Sequence, residues 1–501
     1  DLANTTVYYP AAASGWEEAI AESQVNSLKW VAYIMPEDLA SSGITGSEKM
    51  YVGELQKLWI SDYYVFDSSW ESDAPDVASV DGDGVVTAWM EGTAGISYLI
   101  SGEVFARIVI TVTDTQLIED QPVTIDLPEG AVSDNVSVDG YGNLPWASVV
   151  SSYLFENEDG SLTRVEYLPA SGLLIEIWGK DNTLLSSRYI ATELSAFGGF
   201  YAGASANYVV FGQENEEEDD EKEVIRIVKY SKSWERLGST SVADVYTTVP
   251  FDAGSLRMTE AGGKLFVHTS HEMYAIAGVN HQANLTLAVD TESMTLLEKN
   301  YWVSNNISGY VSHSFNQFIQ TDGINIYRAD HGDGYPRGLY ICRSNVADSI
   351  TNVRYITAME VPGFTGDNET GMSIGGFELS DSHVLTAGSC VDISDAGSYN
   401  ARGKRNIFLC VTTKQLSDIR VEWITAYTAE STQSVSNPKL VKVAGNQFLL
   451  MWEEYDSSTG RKSLKMELLD GEGRAKSVIV STDMRLSDCQ PIKTSDGLVK
   501  W

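Results

Sequence analysis

The residues best suited to chemistry crowd into one short stretch. Between Arg328 and Arg337 the chain carries Arg328, Asp330, His331, Asp333, Tyr335 and Arg337, interleaved with Gly332, Gly334 and Pro336. Aspartates accept hydrogen bonds from sugar hydroxyls, and an aromatic face packs against a sugar ring. Glycines and a proline that hold a loop's path reduce the entropy lost when a ligand binds. His271 occupies the matching place one repeat earlier, with Glu272 beside it. Two imidazoles and a carboxylate make a metal-binding set, but adjacent repeats hold such side chains apart. No metal or other cofactor is therefore assigned. His313, Asn316 and Gln317 fall on or beside an innermost strand, where polar side chains lining a channel ordinarily bridge to water. The candidate ligand-binding set is His271, His313, Arg328, Asp330, His331, Asp333, Tyr335 and Arg337, with no catalytic residue assigned. The bland alternative is that the two aspartates only cap their own loop and Arg337 only pairs with them.

The elements that position this set read as strands. Phe315–Gln320 is one, Ile324–Ala329 a second, and Leu339–Cys342 opens a third. Asp322-Gly323 is a tight-turn signal, and the glycines and proline after Ala329 predict a polar loop before the third strand. The same grammar recurs from about Trp146 to Trp501. Aligning second strands gives Leu162, Val209, Phe266, Ile326, Val384, Phe448 and Leu498, with central spacings of 57, 60, 58 and 64 residues. Repeated three- or four-stranded units cannot bury their faces alone, and stacking them in a ring solves that. The pattern predicts a β-propeller of seven blades, with six or eight as alternatives, in which a segment near 120–150 completes the last blade. On one face such a ring would collect Glu214–Glu223, His271–Tyr274, Asp330–Arg337, Asp392–Arg405 and Glu453–Lys462. Loops there vary without disturbing the blades. The acidic run Glu214–Glu223 reads first as a solvated loop, and no D-x-D-x-D calcium spacing accompanies it.

Ahead of the ring the pattern differs. Residues 1–48 show a candidate short helix in Trp16–Gln24 and a candidate strand in Leu28–Met35, and no function is assigned to them. Residues 49–114 read as a small sandwich of alternating strands with Trp70, Val77, Val80, Val86, Ala94 and Ile96 facing inward. Val52–Glu54, Trp70–Asp73, Val77–Asp81, Gly84–Ala88 and Gly92–Ile96 occur in an order that resembles the bacterial Ig-like domain of group 2, apart from the insertion Tyr63–Asp67. That resemblance implies a spacer or adhesive module of a secreted or surface-displayed bacterial protein, without catalytic residues. Residues 115–145, with Pro122 and Pro128, read as a linker.

Bulk composition narrows the partners. The chain has 501 residues, 43% of them hydrophobic and 10% aromatic, enough for a sizeable all-β core. Asp plus Glu number 70 against 34 for Lys plus Arg, a formal charge of -36. Such a field repels polyanions, arguing against nucleic acid and anionic membranes. No apolar run approaches the ~18 residues of a spanning helix, and no export signal is visible at Asp1. The four cysteines, Cys342, Cys390, Cys410 and Cys489, lie in the last third. No CxxC occurs, and Cys342 and Cys410 sit in apolar runs that predict buried thiols without disulfides. Sialidase-type S-x-D-x-G-x-T-W boxes are absent. A glycosidase carboxylate pair cannot be picked from 70 acidic residues without geometry. These readings favour a non-enzymatic extracellular binding or adhesion protein for a glycan or surface protein. The alternative is a propeller lyase or glycoside hydrolase using acidic residues and histidine. Two carboxylates in a deep pocket, or histidines converging on one point, would favour the enzyme.

Overall fold

The computed structural model describes residues 6–10, 29–35, 43–51, 55–60, 64–82, 84–113, 147, 149–276, 278–304, 306–367, 369–394, 396–397 and 399–501. Every regular element among them is a β-strand, and among the described residues no helix is long and apolar enough to cross a membrane. The chain divides into two compact units, Asp1–Pro122 and Val123–Trp501.

In the first unit, alternation of apolar and polar residues gives each strand one buried face. Along Glu103–Thr113, Ile108, Ile110 and Val112 turn inward between exposed neighbours. That strand joins Lys49–Tyr51, Gly92–Ile100 and Ser68–Ser72 in a four-stranded sheet, while Leu55–Lys57, Val85–Ala88 and Ala78–Val80 form a three-stranded one. One hydrophobic cluster draws on both sheets: Met50, Leu58, Val86, Ala94 and Ile96 are buried in it, with Trp70, Val77 and Val80 packed against it. The six positions expected to face inward therefore do so. Tyr64–Val65, within the insertion, leaves this arrangement and pairs in parallel with Lys29–Ile34. Lys29–Ile34 also pairs with Thr6–Pro10, so the strand expected near Leu28–Met35 is present. The helix expected over Trp16–Gln24 and the linker 115–145 lie outside the described residues.

The second unit is a succession of antiparallel four-stranded meanders. They run over 152–190, 196–242, 256–300, 312–360, 372–423 and 433–482. A two-stranded hairpin, Ile492–Lys493 with Val499–Lys500, follows. Leu162, Val209, Phe266, Ile326, Val384 and Phe448 all fall on second strands, and all are buried. The first strands of the second to sixth meanders lie against one another in succession. The end of the chain returns to the first meander, where Ser495 donates to the Glu156 carboxylate through its amide and hydroxyl, each at 2.7 Å. A run of meanders that meets its own beginning is the arrangement of a β-propeller.

Each sheet buries its faces against the next. Tyr327, Ala329, Leu339 and Ile341 of the fourth meander pack on Met372, Ile374, Phe377, Val384 and Phe408 of the fifth. Cys342 and Cys410 occupy matching third strands, and all four cysteines are free and buried. The third and fourth meanders are also continuous through the pair Ala283↔Ser312.

Candidate functional site

The stretch expected as a rim loop is a strand. The second strand of the fourth meander runs from Asn325 to Tyr335, six residues beyond the expected end at Ala329. Gly332 and Gly334 break the pattern in sequence but serve close approach in space. A Cβ on Gly332 would stand 2.7 Å from the Pro336 carbonyl oxygen, and one on Gly334 2.8 Å from that of Ser312. The ladder therefore continues past both. Arg328, Asp330, His331 and Asp333 are buried, as is His271 on the third meander's second strand. Of the expected set, only Tyr335 is largely exposed, at 51%. Five of the eight residues expected to face a ligand, His271, Arg328, Asp330, His331 and Asp333, are thus buried, while His313, Tyr335 and Arg337 keep exposure.

Two of the set, Asp330 and Arg328, tie the third and fourth meanders together. Asp330 accepts from Ser314 Oγ at 2.7 Å and Asn284 Nδ2 at 3.2 Å on one oxygen, and lies 3.1 Å from His268 Nε2 on the other. Arg328 donates to Thr286 Oγ1 at 2.9 Å and to the Ile350 carbonyl at 2.8 Å. Gln317 donates to Ser314 and accepts from the Ser255 amide. A buried charge is tolerated only when paired and hydrogen-bonded, and the Asp330 carboxylate meets that condition with three partners. His268, Asn284 and Ser314 were not singled out from the sequence. Their signal was a polar residue at an inward position of a β pattern, as in Leu265–His271.

His271 and His331 do not converge as a metal pair. His271 Nδ1 meets Thr247 Oγ1 and His331 Nε2 meets Thr370 Oγ1, each at 2.6 Å. Among the described residues no group of three His, Cys, Asp or Glu side chains is placed to hold a metal ion. Burial pushes both imidazoles down to about 3, with the Arg405 and Arg337 guanidiniums acting in the same direction on His331. Both are therefore neutral at ordinary pH.

One pair keeps access to solvent. His313 stands across the ladder from Asp333, between the pairs Ser314↔Gly332 and Ser312↔Tyr335, where the register shifts. The irregularity and a φ of 53° at His313 break strict alternation and re-aim its side chain. Its Nδ1 lies 2.8 Å from Asp333 Oδ1, and 26% of the His313 side chain is exposed while that of Asp333 is fully buried. The contact has ion-pair distance without hydrogen-bond alignment, and neither Asp333 oxygen has another hydrogen-bond partner. The loop after Glu360 closes beside the pair: Gly366 donates its amide to the Asp333 carbonyl at 3.0 Å. Arg337 secures that loop through the carbonyls of Pro362, Asp367 and Glu369 at 2.7–2.9 Å. Arg337 is thus a loop staple and does not pair with either aspartate carboxylate.

The sequence also holds a G-x-S-x-G spacing at Gly371, Ser373 and Gly375. Ser373 lies inside the strand Met372–Leu379, with its hydroxyl 3.1 Å from that of Ser389, so it is not on the strand-to-helix elbow of a serine hydrolase.

The sequence matches no known protein family and no curated protein. Solved structures similar to this chain include an ulvan lyase of polysaccharide lyase family PL25, at 10% identity over 70% of this chain and 86% of that one, with a TM-score of 0.42. The GH43 protein BlXynB from Bacillus licheniformis is similar at 10% identity over 58% of each chain, with a TM-score of 0.27. This chain thus spans little more than half of that protein's length. An endo-arabinase from Bacteroides thetaiotaomicron is similar at 15% identity over 58% of this chain and 94% of that one, with a TM-score of 0.27.

Proposed function

We propose that the chain is a carbohydrate-active enzyme, a lyase or glycoside hydrolase, in which His313 is the proton-transfer residue and Asp333 its positioning partner. The supporting observation is the pairing of a part-exposed imidazole with a fully buried carboxylate at 2.8 Å. The nearby carboxylate favours a proton on Nδ1 through its charge, without an aligned hydrogen bond, and leaves Nε2 to exchange one with substrate. In an elimination, Nε2 takes the proton α to a uronate carboxylate as the C–O bond to the leaving sugar breaks and a ring C=C forms, the departing oxygen taking its proton from water. In a hydrolysis, a protonated Nε2 gives its proton to the leaving oxygen as that C–O bond breaks and water adds to the anomeric carbon. Tyr335, paired across the ladder with Ser312 beside His313 and open to solvent, offers a ring face for the sugar. This takes up the enzyme alternative of the sequence reading, with His313, Asp333 and Tyr335 drawn from the expected ligand-binding set.

The remaining features extend the same reading. The partner is a glycan, the ring has seven positions with the terminal hairpin as its reduced seventh blade, and the protein works outside the cell. Residues 49–114 are the Ig-like spacer and 115–145 the linker to the ring. The test is activity of the full chain on a polysaccharide panel, reading both new reducing ends and the ultraviolet absorbance of unsaturated products. H313A should lower kcat by about 10²- to 10⁴-fold, the usual worth of a general acid or base. D333N should lower it less and shift the pH profile. Undiminished activity in H313A would refute the assignment.

A further inference from the structure

In an antiparallel meander, second-to-third and fourth-to-first connections leave by the same edge. Tyr274 ends the third meander's second strand region, Tyr246 lies on the connection entering that meander, and Tyr301 and Trp302 begin the one leading to Ser312. All four therefore share an edge with His313 and Tyr335. Their rings form one cluster. Tyr246 stacks on Tyr301 at 5.8 Å and an interplanar angle of 20°, and packs on Tyr274 at 5.1 Å. Trp302 stands perpendicular to the stacked pair, at 86° to Tyr246 and 89° to Tyr301. Trp302 is nonetheless 54% exposed.

We infer that Trp302 and its tyrosine bracket form a binding subsite for an uncharged, hydroxyl-rich glycan chain. The bracket is held before any ligand arrives. Lys299 lies 5.3 Å from the Tyr301 ring centre and reaches Asp244 Oδ2 at 2.9 Å. Asn215, itself buried, donates to the Tyr274 hydroxyl at 2.9 Å. A braced indole loses little freedom on binding, and its face suits the axial hydrogens of a sugar ring. The surroundings select against anionic sugars. Burial, together with the fields of Asp220 and Glu218, pushes the Tyr274 hydroxyl up to about 12. Burial, Asp244 and Asp220 raise that of Tyr301. Glu218 accepts from the Ala275 amide, next to Tyr274, at 3.0 Å and Asp244 meets Lys299, so carboxylates stand beside these rings, where they suit hydroxyl donors and disfavour uronates or sulfates. Val303 and Ile307, on the connection that carries Trp302, are also exposed.

The inference takes from the proposed function only that a glycan crosses this edge. An uncharged chain there fits its hydrolysis arm, because elimination needs a uronate, and the test is binding. The H313A protein, which should not consume its ligand, is run by affinity electrophoresis and calorimetry against soluble arabinan, galactan and β-glucan, with polygalacturonate as the anionic comparison. At least one neutral polysaccharide should retard it. Adding W302A should weaken that binding about tenfold, while W302F, which keeps a stacking face, should recover most of it. Failure of all three neutral polysaccharides, unchanged binding in W302A, or tighter binding of polygalacturonate would each overturn the subsite. Full activity of H313A would refute the catalytic reading alone, because the binding measurement does not depend on it.

Discussion

Acidification should unfold the ring from the inside, through His271 and His331. Both imidazoles are buried, and their folded-state values lie at about 3 against 6.5 for the free side chain. Between those values the unfolded chain binds protons that the folded chain refuses, so stability rises with pH over that window and is lost as pH falls below 6.5. At pH 5, which is 1.5 below the free value, each histidine forfeits roughly 2 kcal/mol, taking ~1.36 kcal/mol for each pH unit. The two together forfeit about 4 kcal/mol, a large share of the 5–15 kcal/mol typical of a folded domain. The assay is urea unfolding at pH 8 and pH 5, followed by hydrogen exchange in peptides covering Lys264–Ile276 and Asn325–Tyr335. Carboxylates elsewhere titrate too, so the informative quantity is the difference between wild type and the variants H271N and H331N. Each replacement should shrink the pH 8 to pH 5 loss by about 2 kcal/mol. An equal loss in wild type and both variants would mean that the imidazoles charge within the fold, and the reasoning from burial would fail.

Two further outcomes follow from the buried groups. D330A should destabilise the ring by about 3–5 kcal/mol, because His268, Asn284 and Ser314 lose their common acceptor inside the protein; a melting temperature within a degree or two of wild type would show that the network is dispensable. Burial pushes the thiols of Cys342 up to about 11 and of Cys390 and Cys410 up to about 12, so a thiol reagent at neutral pH should label none of these in the native protein and all of them in denaturant. Rapid labelling of any of the three without denaturant would contradict their placement.

What the sequence by itself determined is the rhythm of the fold. Apolar alternation and turn residues carry information over a few positions, and that sufficed to align second strands from Leu162 to Phe448 and to mark the inward residues of 49–114. The same local signals misled at Asp330–Tyr335. Gly332 and Gly334 are turn formers by propensity, but here their missing side chains admit the Pro336 and Ser312 carbonyls of neighbouring chain, a demand visible only once those segments are in place. Polar residues in that strand likewise read as ligand-facing, because periodicity cannot say whether a charged inward position meets solvent or a partner. Pairing across meanders decided it: Asp330 finds His268 62 residues away, a separation no local pattern spans. His313 and Asp333 were both named from the sequence. Only the shifted register between their strands, with one side chain open to solvent and the other shut away, makes them a pair.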